Sequence, residues 1–200
     1  DNINQESFLR ARPLLDIHVF YEGEQSFVAI IKRLMEKNKV KNLFHSPILG
    51  CQFISPNNEF ITGNIPDRIK DLDVIPSPYV SGLMDKFFDG VLAPLVETAR
   101  GCPFLCTFCD QGLDESKIAS HSNLRIYEEL MYVGEKVYKI KNGFKHIEFF
   151  DSNWGMFNKD LEFADDILKV MEKYDWPEYI VAIAPKSNRD NILKINDILK

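Results

Sequence analysis

The sequence predicts an α/β fold. Short apolar runs alternate with amphipathic stretches over the second half of the chain, and turn residues stand between them. That order, strand then helix repeated, favours a parallel sheet with right-handed crossovers.

In the first part, Leu14-Leu-Asp-Ile-His-Val-Phe20 is apolar enough for a buried parallel strand. Tyr21-Glu-Gly-Glu-Gln25 interrupts it. Phe27, Ile30, Ile31, Leu34 and Met35 then recur at helical spacing and define one apolar face. Lys37-Asn38-Lys39 suits the negative end of that helix. Further on, Cys51-Gln-Phe-Ile54 and Glu59-Phe-Ile-Thr62 flank Ser55-Pro-Asn-Asn58, the pattern of a small hairpin. Asp71-Leu-Asp-Val-Ile-Pro-Ser-Pro78 holds two prolines in three positions, unsuited to a helix interior or a central strand, and is expected to connect domains.

The second alternation begins near Val91. Val91–Glu97 is a strand candidate whose pairing Pro94 confines to its later part. Leu124, Tyr127, Leu130, Met131 and Val137 mark a helix ended by Asn142-Gly143. Phe144–Phe150 is a strand, and Asp151-Ser-Asn-Trp-Gly155 the loop after it. Leu161, Ala164, Ile167, Leu168 and Met171 form the next helix, stopped before Trp176-Pro177. Tyr179–Ala184 is another strand, and Ile192, Ile195 and Leu199 begin another helix. In parallel sheets ligands collect at the C-terminal strand ends. The loops after Glu97, Phe150 and Ala184 all fall at that edge.

The chain has 200 residues, 45% hydrophobic and 27% charged, with net charge -6. This is a globular composition. Acidic and basic residues are mixed along the chain, which argues against a phosphate-gripping face and so against nucleic acid as a partner. No apolar run approaches the ~18 residues of a membrane span, so no membrane partner is expected. The abrupt start at Asp1 and the finish within an amphipathic pattern read as an excerpt from a longer protein.

Cys102, Cys106 and Cys109 lie within eight residues, spaced Cys-x3-Cys-x2-Cys, and the fourth cysteine, Cys51, is distant. Three thiols in one tight loop strain any mutual disulfide, so thiols held for metal in a reducing cytoplasm are expected. A closed structural site recruits four protein ligands, whereas this loop offers three. Soft thiolates suit iron–sulfur centres, and three of them on a four-iron centre leave one iron open. The competing reading is a non-catalytic structural or redox module, holding iron–sulfur or a zinc whose fourth ligand is His121 or His146.

Arg100-Gly-Cys-Pro-Phe-Leu-Cys-Thr-Phe-Cys109 resembles the loop of radical S-adenosylmethionine (SAM) enzymes, whose signature is Cys-x3-Cys-x-aromatic-Cys with Phe108 here as the aromatic. Asp16–Phe27 is similar to the last strand-turn-helix of the cobalamin-binding domain that precedes the barrel in one subgroup. Asp71–Pro78 looks like that subgroup's interdomain linker. The resemblance implies the C-terminal part of a Rossmann-like cobalamin-type domain over 1–45, a hairpin and Pro-rich linker over 46–90, and the first half of a partial TIM-like (β/α)6 barrel over 91–200. Two departures stand out. The cobalt-binding His motif would precede residue 1, so cobalamin is left open. The Gly-Gly-Glu-Pro motif of other members is replaced by Asp151-Ser-Asn-Trp-Gly155.

The resemblance also implies cofactors and chemistry. Cys102, Cys106 and Cys109 would ligate a [4Fe-4S] cluster whose fourth iron takes SAM. One electron would cleave SAM to methionine and a 5'-deoxyadenosyl radical for hydrogen abstraction, followed, where cobalamin is bound, by methyl transfer. Phe108 would place its backbone against the adenine while its ring shields the cluster, or serves simply as a core aromatic, and Asp151, Ser152 and Asn153 would grip the SAM amine, although the same three residues favour ordinary turns. Lys186 and Asn188 follow the third strand and either reach cofactor or substrate or merely solvate the loop. The implied partners are SAM, a small-molecule or peptide substrate, and an electron donor such as flavodoxin or ferredoxin. Elsewhere the plainer readings hold: Gly23 and Glu24 as strand-to-helix turn chemistry, His18 as a satisfied buried histidine, Cys51 as an inert small hydrophobe. Arg100 faces either cofactor or nearby carboxylates.

Overall fold

In the computed structural model, residues 5–37, 40–109, 118–141 and 143–200 are described. Asn38, Lys39 and Asn142, expected at helix ends, lie outside them. The chain divides into two compact units, Asp1–Arg68 and Ile69–Lys200.

The first unit runs α1 (Gln5–Arg10), β1 (His18–Val19), α2 (Gly23–Lys37), a 3-10 turn (Val40–His45), β2 (Cys51–Ile54) and β3 (Phe60–Thr62). Its sheet has the order β1-β2-β3 and is antiparallel throughout, with His18 opposite Gln52 and Gln52 opposite Thr62. The parallel strand expected over Leu14–Phe20 is therefore corrected. A turn closed by the Leu15 N–H on the Arg12 carbonyl keeps Leu14 and Leu15 outside, and only two residues reach the sheet. The hairpin is as expected. Asn58 takes the left-handed conformation (φ 65°) that suits Asn in a turn, and the Ser55 hydroxyl accepts the Glu59 N–H.

Helix α2 packs through Ala29, Ile30 and Leu34 onto Leu43, Ile48, Cys51 and Phe53. Phe27, Ile31 and Met35, expected on the same face, are exposed. Three short strands cover only a narrow apolar stripe. Cys51 is fully buried, and burial pushes its thiol above the ordinary range. His18 is half-buried, sits beside the rings of Phe8 and Phe20, and meets Gln52 through Nδ1.

The second unit opens with the Pro-rich stretch, which packs rather than dangles. Leu72 is fully buried in a 3-10 turn (Leu72–Val74), and Asp71 caps that turn through the Asp73 N–H. The Tyr79 hydroxyl donates to the Leu95 carbonyl at 2.8 Å and accepts the Leu95 N–H at 3.0 Å. It thereby fixes β4 (Leu95–Val96), the part of 91–97 that Pro94 leaves free to pair. After a second 3-10 turn (Asp85–Phe87), the chain continues with β4, β5 (Ala99–Arg100), β6 (Ala119–Ser120), α3 (Asn123–Tyr138), β7 (His146–Phe149), α4 (Lys159–Tyr174), β8 (Tyr179–Ala182) and α5 (Arg189–Ile198).

The sheet β4-β7-β8 is parallel, with Val96 opposite Phe149 and Phe149 opposite Ala182. Helices α3 and α4 supply its core through Ile126, Leu130, Val133, Phe163, Ile167 and Val170 against Val96, Ile147 and Phe149. The buried face of α3 is thus centred on Ile126, Leu130 and Val133, and Leu124, expected on it, is exposed. Both helix positions and lengths follow the sequence, while the rotation of α3 does not. Ser122 caps α3 by accepting the Arg125 N–H, the usual way to satisfy a helix start.

The two helices approach closely at Gly134. A Cβ there would stand 2.8 Å from both Val170 Cγ1 and Tyr174 Cδ2, so only glycine fits. At the other side, Trp176 donates its indole N–H to the Phe144 carbonyl at 2.8 Å, and Trp154 stacks on Phe149 with centroids 4.8 Å apart. Among the described residues no helix is long and apolar enough to cross a membrane.

Candidate functional site

The cysteine loop begins where β4 ends. Residues 99–100 and 119–120 pair antiparallel as β5 and β6, Arg100 opposite Ala119, and clamp the base of the loop that carries all three clustered cysteines. The Thr98 carbonyl extends the clamp by accepting the His121 N–H at 3.0 Å. This two-residue ribbon has no signal in the sequence, because strands so short carry no periodicity.

Asp151 follows β7 and is 4% exposed. Its Oδ1 accepts the N–H groups of Thr98 at 2.7 Å and Ala99 at 3.0 Å, and its Oδ2 accepts the Thr98 hydroxyl. Burial nonetheless raises its pKa from the ordinary 3.8 to about 6, while the three hydrogen bonds pull the other way. Asp151 therefore joins the end of β7 to the start of the cysteine loop.

Cys102 is buried and accepts a hydrogen bond from the Asn153 side-chain amide at 3.2 Å. Cys106 and Cys109 are half-buried and share a turn closed by the Cys109 N–H on the Cys106 carbonyl at 3.0 Å. The Lys186 ammonium stands 2.5 Å from Cys106 Sγ, having come from beyond β8. Two of the three sulfurs thus face donors from the loops after β7 and β8. The parallel sheet brings those loops to one edge, as its topology requires. Phe108 is 86% exposed. Ser152 is half-buried beside Asp151, and Asp110 lies outside the described residues.

Gly155 closes the loop after β7 at φ +90°, and a Cβ there would meet Ile192 of α5 at 2.2 Å. Asp160 accepts the N–H groups of Gly155 and Phe157, both at 2.9 Å, and so holds the far side of that loop. Arg100 pairs with Glu97 at 2.8 Å, a neighbouring carboxylate.

The donor chemistry fits an iron–sulfur centre. Three soft thiolates sit on one short loop, with an amide and an ammonium aimed at two of them. Among the described residues no three His, Cys, Asp or Glu side chains converge as ligands of a single metal ion. The two histidines considered for a zinc site have other partners: His121 meets Asp73 at 3.0 Å, and His146 stacks on Tyr179 and approaches Glu148. In the first unit Glu22 pairs with Arg68 at 3.4 Å.

No family model matches the chain. A relative described as the cobalamin-dependent radical SAM methyltransferase TokK, from Streptomyces tokunonensis, is 26% identical over 200 residues, covering 95% of this chain and 27% of the relative. An uncharacterised methyltransferase of Pyrococcus horikoshii is 35% identical over 159 residues, covering 77% of this chain and 32% of the relative. The fold matches the structure of the cobalamin-dependent SAM radical enzyme OxsB, with aqua-cobalamin and S-adenosylmethionine bound, at TM-score 0.58 and 20% identity, over 97% of this chain and 27% of that one. The chain spans about a quarter to a third of the length of these relatives. By sequence it is related to cobalamin-dependent radical SAM methyltransferases, and its α/β fold resembles the matching quarter of the OxsB structure.

Proposed function

We propose that the chain carries the iron–sulfur loop of a radical SAM enzyme, with Cys102, Cys106 and Cys109 as the ligands of a [4Fe-4S] cluster. The Cys-x3-Cys-x2-Cys loop at the C-terminal edge of a parallel sheet carries this reading. When bound, such a centre with one open iron supplies the electron that breaks the sulfonium bond of SAM, giving a radical for hydrogen abstraction.

The chain's own residues prepare the place. Asp151 sets the loop against β7, Asn153 donates to the Cys102 sulfur, and β5 with β6 close the loop at its base. In this reading Asp151, Ser152 and Asn153 would offer polar groups to the SAM amine, and Phe108 would place its backbone against the adenine. In this reading residues 91–200 are the first half of a partial TIM-like (β/α)6 barrel, residues 46–90 a hairpin and linker, and residues 1–45 the end of a cobalamin-type domain. The names of the relatives support cobalamin as a second cofactor and methyl transfer as the outcome. A cytoplasmic, reducing setting and a flavodoxin- or ferredoxin-type donor complete the proposal.

Anaerobic reconstitution of the whole protein tests it. Iron and sulfide near four of each per chain are expected, with an EPR signal that shifts on adding SAM and 5'-deoxyadenosine released under dithionite. A colourless protein binding one zinc overturns it.

A further inference from the structure

Lys186 is the residue that the sequence left undecided between cofactor, substrate and solvent. Three contacts converge on its ammonium, and all come from the cysteine loop. Cys106 Sγ lies at 2.5 Å, and the ring centroids of Phe104 and Phe108 at 5.4 and 5.6 Å, within the range of cation–π attraction. Lys186 itself is placed by structure around it. Two residues on, Asn188 takes a left-handed conformation (φ 62°) and donates its side-chain amide to the Met156 carbonyl at 2.9 Å. That bond ties the loop after β8 to the loop after β7, so the lysine stem starts from a fixed point.

We propose that Lys186 is a positioning residue of the cysteine loop: its ammonium holds the Cys106 sulfur and would favour the reduced, more negative state of the iron–sulfur centre that the loop would hold. This rests on the iron–sulfur reading above. One electron taken from an external one-electron donor would add one negative charge to the iron–sulfur centre that the three sulfurs would hold. No bond breaks and no proton moves. A fixed positive charge beside Cys106 stabilises that added charge, so the midpoint potential is higher with Lys186 than without it. The side chain is exposed, and the effect is correspondingly screened.

The test compares the reconstituted whole protein with Lys186→Gln, Lys186→Met and Lys186→Arg by iron content and by EPR-monitored potentiometry, with dithionite as reductant. In the two neutral variants the reduced-to-oxidised ratio at fixed potential is expected to fall about threefold to tenfold, tenfold being about 59 mV for one electron. Lys186→Arg, which keeps the charge, is expected to stay within twofold of the wild type. Neutral variants that lose iron while Lys186→Arg keeps it also support the proposal, through the hold on Cys106. Neutral variants with full iron and an unchanged potential overturn it. So does loss of iron from Lys186→Arg as well, which would make the lysine a packing residue. Wild-type protein that takes up no iron fails at an earlier point and overturns the iron–sulfur reading itself.

Discussion

Asp151 grips Thr98 twice, accepting its backbone N–H at 2.7 Å on one carboxylate oxygen and its hydroxyl on the other. One buried side chain thus sets the end of β7 against the start of the cysteine loop.

A pH dependence follows. Burial lifts the Asp151 pKa from 3.8 to about 6, so in that window the folded protein binds a proton that the unfolded chain has released. The resulting stabilisation is complete below the unfolded value and is lost as pH rises through about 6. It amounts to at most about 3 kcal/mol. Urea denaturation between pH 4 and 7 should show this fall, and Asp151→Asn, whose amide oxygen still accepts both N–H groups, should flatten it. Asp151→Ala leaves those donors unpaired and should cost about 2–4 kcal/mol at every pH.

Gly134 sets the spacing of α3 and α4. Gly134→Val places carbon atoms where Val170 and Tyr174 already stand, within 2.8 Å of the first added atom. A loss of about 1–3 kcal/mol is expected in chemical denaturation, despite the better helix propensity of the new residue. An unchanged midpoint would mean that the helices part readily.

The four cysteines should behave as two kinds. Cys102→Ala, Cys106→Ala and Cys109→Ala should each abolish stable iron binding, measured as iron per chain after gel filtration. Cys51→Ala should keep full iron and lose about 1 kcal/mol of stability, because its thiol is fully buried in the other unit.

Asn153 donates to the sulfur of buried Cys102 at 3.2 Å. Asn153→Ala removes that donor and should speed iron loss to a chelator several-fold without changing the unfolding free energy by more than about 1 kcal/mol. Equal chelation rates for the two proteins would remove Asn153 from the site.

Much of this was legible in the residues, and the exceptions have physical causes. Helices α3, α4 and α5 and strands β7 and β8 carry enough periodicity to be placed, and Pro94 announced how little of 91–97 pairs. The apolar run at 14–20 misled, since apolarity does not tell a parallel strand from a stretch that turns away after Leu15. The rotation of α3 was missed because Leu124 and Ile126 are equally apolar, and only the sheet decides between them. In the site, the cysteine spacing is local and readable. The grip of Asp151 on Thr98 and of Lys186 on Cys106 spans 53 and 80 residues, and no local pattern encodes either.

Trp154 stacks on Phe149 and is chain neighbour to Asn153, whose amide touches Cys102. The only other tryptophan, Trp176, also lies in the second unit, so the first unit is dark when indoles are excited at 295 nm. Within the chain, intrinsic fluorescence excited there therefore follows the second unit alone, and an absorbing iron–sulfur centre beside Trp154 would quench it without any added label.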